Sequence, residues 1–266
     1  MDGKGLDAAN SVEEIRQFGS AVLRQAWPHG HLTTLRQAIA AFCDQRRLNI
    51  ERGAAGASDR MYATHGIGSF RALVGAKLIE PQFLVDMFCE SAFHRLCRGY
   101  FGGDDFYVVL NRLGFRNHDP MVSDRSFIPY HQDSYTQDER TPHVLNCWIT
   151  LDPSAGREAP GLEVVRNPCR PDFPRKDFGL KSENAAYDVI AIDRDQIVAA
   201  YGEVFMAPEF DLGDALVFSE NVIHRTYVTP TMTQARINFE FRVFSSDHLK
   251  PGLTIADLGQ AAIRIS

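Results

Sequence analysis

"RINFEFRVF", Arg236 to Phe244, alternates without a slip. Arg236, Asn238, Glu240 and Arg242 fall on one side, and Ile237, Phe239, Phe241 and Val243 on the other. A period of two is the signature of a strand with one apolar face. "HVLNCWITLD" (143–152) repeats it, with Val144, Asn146, Trp148 and Thr150 facing away from Leu145, Cys147, Ile149 and Leu151. "DFYVVLNRL" (105–113), "GLEVV" (161–165) and "DALVFS" (214–219) supply further strands, the last entered through a Gly213–Asp214 turn.

The first hundred residues read differently. Ser11 and Glu14 have the spacing of a capping box. "HLTTLRQAIAAFCDQRRL" (31–48) spaces Leu32, Leu35, Ile39 and Phe42 as one face of a helix, and "GAAGAS" (53–58) ends it in a surface loop. Pro81 opens a further helix, with Phe83, Leu84, Met87 and Phe88 on one side, running to about Tyr100. Helices followed by short strands, with no helices regularly interleaved among them, predict a mainly β fold: a sandwich or jelly roll buttressed by N-terminal helices. The connection 167–204 is long enough to cover a site.

Composition narrows the function. The chain has 266 residues, 44% of them hydrophobic, enough for a sizeable core. A formal charge of −6 lacks the basic footprint of a nucleic-acid binder. No apolar run approaches the roughly 20 residues of a membrane span, and the opening "MDGKGLDAAN" lacks the apolar core of a signal peptide. Five scattered cysteines (Cys43, Cys89, Cys97, Cys147, Cys169) without CxxC spacing read as free thiols, mostly buried. A cytoplasmic protein is expected, with neither nucleic acid nor membrane as its partner; the oligomeric state is not legible.

The chemistry concentrates in three pieces. "YHQDSY" (130–135) places His131 and Asp133 two apart, hence on one side of an extended segment. Taken alone, the two could equally be a hydrogen-bonded pair. "ENVIHRT" (220–226) adds His224, and "QARINF" (234–239) adds Arg236. Two histidines and one carboxylate on a single face of an octahedral ion leave three positions open, the pattern of non-haem Fe(II) oxygenases.

On "YHQDSY", "LNCWITLDPSAGREAPGLEVV", "FDLGDALVFSENVIHRT" and "ARINFEFRVF", in that order, the chain resembles the phytanoyl-CoA dioxygenase-like Fe(II)/2-oxoglutarate oxygenases. The resemblance implies one domain over residues 1–266: a helical buttress over about 1–100 and a double-stranded β-helix, a cupin-like jelly roll, over about 105–245. It implies Fe(II), with 2-oxoglutarate and O2 as co-substrates, and His131, Asp133 and His224 as metal ligands. Arg236 would pair, often in bidentate fashion, with the distal carboxylate of 2-oxoglutarate. Thr226 would add a hydroxyl to that carboxylate, and Trp148 and Asn111 would line the same pocket. Because related halogenases carry a small residue at the position of Asp133, the aspartate implies hydroxylation, or desaturation or ring closure.

The sequence departs from the family pattern at "RNPCRPDF" (166–173) and "VTPTMTQ" (228–234), neither of which touches an expected ligand. Arg112, Arg116, Arg125, Arg140, Arg225 and Arg242 crowd the expected mouth. They read either as a solvated rim among Asp119, Asp124, Asp138 and Glu139, or as recognition of an anionic substrate. Tyr135, Arg242 and Arg225 are the expected substrate contacts. The other histidines, His118 among them, read as surface or packing residues. Two other classes fit a metal-binding jelly roll, a non-redox protein (isomerase, binding protein or inactive relative) and a zinc hydrolase, and Arg236 is the feature that speaks against the first.

Overall fold

A computed structural model of the protein describes residues 8–53, 67–109, 112–120, 127–133, 144–166, 192–249, 252, 254–257 and 262–265. The helices come first: α1 (Ala8–Phe18), α2 (His29–Glu51), α3 (Phe70–Gly75), α4 (Pro81–Cys89) and α5 (Ala92–Phe101), with α6 (Arg194–Tyr201) later in the chain. α2 buries Leu32, Leu35, Ala38, Ile39 and Phe42, the stripe its spacing predicts.

Two expectations about helices are corrected. Ser11 caps nothing: α1 already runs from Ala8, and Ser11 sits inside it with its hydroxyl buried on the face of Val12 and Ile15. The predicted helix from Pro81 to Tyr100 is two helices. Ser91 adopts extended backbone, donates its hydroxyl to Phe88 O at 2.7 Å and accepts from His94 N at 3.1 Å, closing α4 and capping α5. The helix-ending stretch 54–58, and the thiol of Cys169, lie outside the described residues. Of the thiols, Cys97 and Cys147 are buried and Cys43 is half-buried, whereas Cys89 is exposed.

The strands are β1 (Ser20–Leu23), β2 (Ile67–Ser69), β3 (Phe106–Val109), β4 (Gly114–His118), β5 (Leu145–Thr150), β6 (Gly161–Val165), β7 (Phe205–Met206), β8 (Ala215–Ser219), β9 (His224–Tyr227), β10 (Arg236–Ser245) and β11 (Ala262–Arg264). They form two antiparallel sheets. The larger runs β1-β8-β5-β10-β3-β11, with β4 also on β10 and β2 on β4; the smaller runs β7-β6-β9.

Alternation decides what each face of the large sheet meets. Leu145, Cys147 and Ile149 of β5, Ala215 and Val217 of β8, and Phe239, Phe241 and Val243 of β10 join the helices in one core that reaches from Val12 to Ile265. Trp27 stacks on Phe241 there, ring centroids 4.9 Å apart and 21° from parallel. On the opposite face, Trp148, Leu216 and Phe218 pack against Leu162 and Val164 of the small sheet. The result is a jelly-roll sandwich walled by helices on one side.

The polar residues of β10 therefore point between the sheets. Register sets their neighbours: Arg236 lies opposite His118, Asn238 opposite Arg116 and Thr150, Glu240 opposite Trp148, and Arg242 opposite Asn146. The described end of the 167–204 connection is α6, whose Ile197 packs with Tyr130, Val165 and Ile223 beside the small sheet.

Candidate metal centre

His131 lies next to β9. Its backbone exchanges hydrogen bonds with that of His224, N–H to carbonyl in both directions at 3.0 Å. The two rings approach to 4.2 Å between centroids. Each Nδ1 sits beside a carbonyl oxygen, Pro129 O at 2.8 Å from His131 and Val222 O at 2.9 Å from His224. A carbonyl only accepts, so each Nδ1 carries a proton, and in the neutral ring Nε2 then has its lone pair for a metal. Asp133 completes the set, with Oδ1 3.8 Å from His131 Nε2. The three ligand atoms all lie within 4.8 Å of one another, and the three residues are buried.

The electrostatics suit a cation. Burial, then the neighbouring His224, pushes His131 down to about 3, so its ring is neutral. Burial raises Asp133, but Arg242, followed by the two imidazoles and Arg116, outweighs it and holds the carboxyl at about 2. Asn146 Nδ2 donates to Asp133 Oδ2 at 3.0 Å, and Arg242 lies 3.4 Å from the same oxygen. Oδ1 is thereby the oxygen presented to the histidines. Two imidazoles whose Nδ1 atoms are bonded to carbonyls converge with a carboxylate, a donor set that suits a divalent cation.

These residues line an open-mouthed cavity of about 410 Å³, including the solvent at its mouth, together with Trp148, Thr226, Arg225, Arg242 and Arg236. Arg236 is 1% exposed and, among the described residues, forms no salt bridge. Its guanidinium lies 4.8 Å from the Trp148 ring centroid. Burial and Arg116 pull it down to about 9, so it stays charged at neutral pH. Its terminal nitrogens donate to Pro160 O (3.0 Å), Gly161 O (3.2 Å), His118 Nδ1 (2.6 Å) and Asn238 Oδ1 (3.0 Å). Four terminal hydrogens meet four acceptors, and only Nε is left without a partner. A free terminal fork, expected for a bidentate pair, is not what this arginine presents.

Of the other expected site residues, Thr226 Oγ1 accepts from Ile128 N at 3.1 Å while lining the cavity. Arg225 lies over the Tyr130 ring at 4.7 Å and donates through Nε to Glu163 at 2.6 Å; Tyr130 bonds the same carboxylate. Glu240 stands between Arg116 (3.7 Å) and Arg242 (3.4 Å). Asn111 and Tyr135, with Arg125, Arg140, Asp124, Asp138 and Glu139, lie outside the described residues.

Two residues were not expected here. His118, read as a surface or packing histidine, is buried against Arg236 and lines the cavity. Nothing local marks it, since its partner is set by the register of β4 on β10. Asn146 had a signal, its place on the Trp148 face of β5, that pointed to the cavity without revealing its bond to Asp133.

The family model described as phytanoyl-CoA dioxygenase (PhyH) matches residues 15–231. Among solved structures, EvdO2 from Micromonospora carbonacea var. aurantiaca, in complex with 2-oxoglutarate, is 17% identical at TM-score 0.60, covering 94% of this chain and 98% of its own. SnoK, a non-heme alpha-ketoglutarate-dependent carbocyclase from nogalamycin biosynthesis, is 13% identical at TM-score 0.60, covering 99% and 100%. EctD from S. alaskensis, with 2-oxoglutarate and 5-hydroxyectoine, is 13% identical at TM-score 0.59, covering 98% and 86%. No curated protein sequence matches the chain significantly. At these identities the structural likeness is one of fold.

Proposed function

The chain belongs to the phytanoyl-CoA dioxygenase family, and from that premise we propose that it is an Fe(II)/2-oxoglutarate-dependent dioxygenase that hydroxylates a small polar or anionic metabolite. One observation carries the reading: the buried triad His131, Asp133 and His224 shares its cavity with Arg236, a buried cation without a carboxylate partner among the described residues. A non-redox metal site has no need of that cation, whereas a dicarboxylate co-substrate does. Fe(II) held by the triad would couple the decarboxylation of 2-oxoglutarate by O2 to oxidation of a substrate C–H bond.

The protein's part is orientation and exclusion. The carbonyls of Pro129 and Val222 hold the two imidazoles, and Asn146 and Arg242 hold the carboxylate. Arg236 and Thr226 would face the co-substrate, and Trp148 would wall it, since all three line the cavity. Arg116, Arg225 and Arg242 line the cavity, and guanidinium groups of this kind support the reading of an anionic substrate. A carbocyclase is among the proteins of similar fold; the aspartate at position 133 speaks against halogenation, and hydroxylation is the outcome proposed here ahead of desaturation or ring closure. The whole chain is read as one domain, since a single core reaches from Val12 to Ile265. Free thiols at Cys43, Cys89, Cys97 and Cys147 suit the cytoplasm.

Purified protein given Fe(II), 2-oxoglutarate and air should release succinate, should stop when oxygen is removed, and should fall silent as His131→Ala or His224→Ala. Zinc-supported activity without oxygen, or iron-loaded protein that neither binds 2-oxoglutarate nor forms succinate, would overturn the reading.

A further inference from the structure

His118 and Arg236 are cross-strand partners on β4 and β10, and their contact fixes a tautomer. A guanidinium only donates, so Arg236 donates to His118 Nδ1 at 2.6 Å. An imidazole that accepts at Nδ1 carries its proton on Nε2. Burial, then Arg236 and Arg116, hold the His118 pKa well below the ordinary histidine range, in keeping with that neutral form.

The resulting Nε2–H is buried and has no hydrogen-bond partner among the described residues. It belongs to a side chain, 1% exposed, that lines the same cavity as Arg236 and the triad. Arg236 Nε is the second buried donor of the pair without a partner. The four terminal hydrogens of Arg236 are already committed to Pro160, Gly161, His118 and Asn238. The pair therefore holds one charge and two uncommitted N–H groups on residues that line the cavity, one on the ring and one on the guanidine. A buried donor without a partner calls for an acceptor, which a ligand entering the cavity can supply.

We propose that His118 is a second anchor for the co-substrate: its Nε2–H and Arg236 Nε–H both donate to the distal carboxylate of 2-oxoglutarate. The proposal rests on reading the centre as a 2-oxoglutarate site. Arg236 supplies the charge, and His118 both locks the guanidinium in place and adds a neutral donor. The two functions of the ring separate by substitution. Asparagine retains an acceptor near Nδ1 but nothing at Nε2; glutamine carries an amide N–H near Nε2.

The test is calorimetric titration of the full chain loaded with Mn(II), without oxygen, using 2-oxoglutarate and 2-oxopentanoate. The second ligand has the same chelating end and no distal carboxylate. Loss of one hydrogen bond to a charged group should weaken 2-oxoglutarate binding to His118→Asn about tenfold. Binding of 2-oxopentanoate should stay within about twofold, and His118→Gln should recover most of the loss. Equal weakening of both ligands, or none, overturns the proposal while leaving the co-substrate reading intact. Wild-type protein that does not distinguish the two oxoacids would instead sink the co-substrate reading and this proposal with it. A second measurement needs no variant. In protein labelled with 15N-histidine and loaded with Zn(II), the His118 Nε2–H resonance should move downfield with 2-oxoglutarate and not with 2-oxopentanoate. An unmoved resonance counts against the anchor.

Discussion

His131 and His224 are backbone partners before they are anything else, each N–H donating to the other's carbonyl at 3.0 Å. Two ligands separated by most of the jelly roll are thus brought together by main-chain pairing, which no side-chain substitution removes. The rings are then aimed by carbonyls only two residues upstream in each case, Pro129 and Val222. The site is preorganised, so an ion that enters it stabilises the fold instead of having to build it.

A saturating divalent ion should therefore raise the melting temperature. At a hundredfold excess over Kd the gain is about 2.7 kcal/mol, or roughly 5–10 °C for a chain of this size. His224→Ala should keep the main-chain pairing and the fold, yet lose the shift. Thermal melts with and without Mn(II) check this; an equal shift in the variant would move the ion elsewhere.

Asn146 acts through Asp133. Its amide holds Oδ2 at 3.0 Å, so Asn146→Ala frees the carboxylate to rotate and to take both oxygens toward the ion. Partners of this kind are worth about 10–100-fold in metal affinity. Direct titration with Fe(II) or Mn(II) should show at least the lower end of that range. Unchanged affinity would mean that Arg242 alone orients Asp133.

Much of this was legible in the sequence because it is local. The alternation of β5 and β10 is visible wherever a strand has one apolar face, and the His–x–Asp spacing declares itself. β4 was missed because "GFRNH" turns Arg116 and His118 toward a polar cavity and leaves only Phe115 to the large core, so no apolar period survives. The role of His118 is a register fact, a contact across 118 positions of chain. The break at Ser91 was hidden for another reason: a serine bonded to the turn before it and the turn after it interrupts a helix without glycine or proline.

The helical buttress and the jelly roll share one core, and Trp27 tests it. Stacked on Phe241 and beside Phe93, its removal leaves a large cavity between the layers. Trp27→Ala should cost about 3–5 kcal/mol, read as a lower urea midpoint with a similar slope. Metal affinity in the folded variant should hold, because the cavity-facing neighbours Glu240 and Arg242 lie on the other side of β10. A loss below about 1 kcal/mol would mean that Trp27 contributes little to the packing of the buttress on the sheet.

Metal-free protein should lose stability as pH falls, and the buried histidines set where. His131 is held at about 3, against an ordinary 6.5, by burial and then by His224, and His118 is shifted the same way. Below about 6.5 the unfolded chain takes up protons that the folded chain refuses, so the balance tips toward unfolding. The contribution is intact above 6.5 and drains away as pH falls toward 3. Each histidine adds a slope of up to about 1.4 kcal/mol per pH unit. Asp133, held at about 2 against 3.8, adds its own loss only below about 3.8. The window between 6.5 and 5 therefore isolates the histidines from the carboxylate. Urea midpoints across that window should fall steadily in the wild type and less steeply in His118→Gln. A flat response would mean that the two rings take up protons as readily in the folded chain as in the unfolded one, and burial would not be what keeps the His131 lone pair free for a metal.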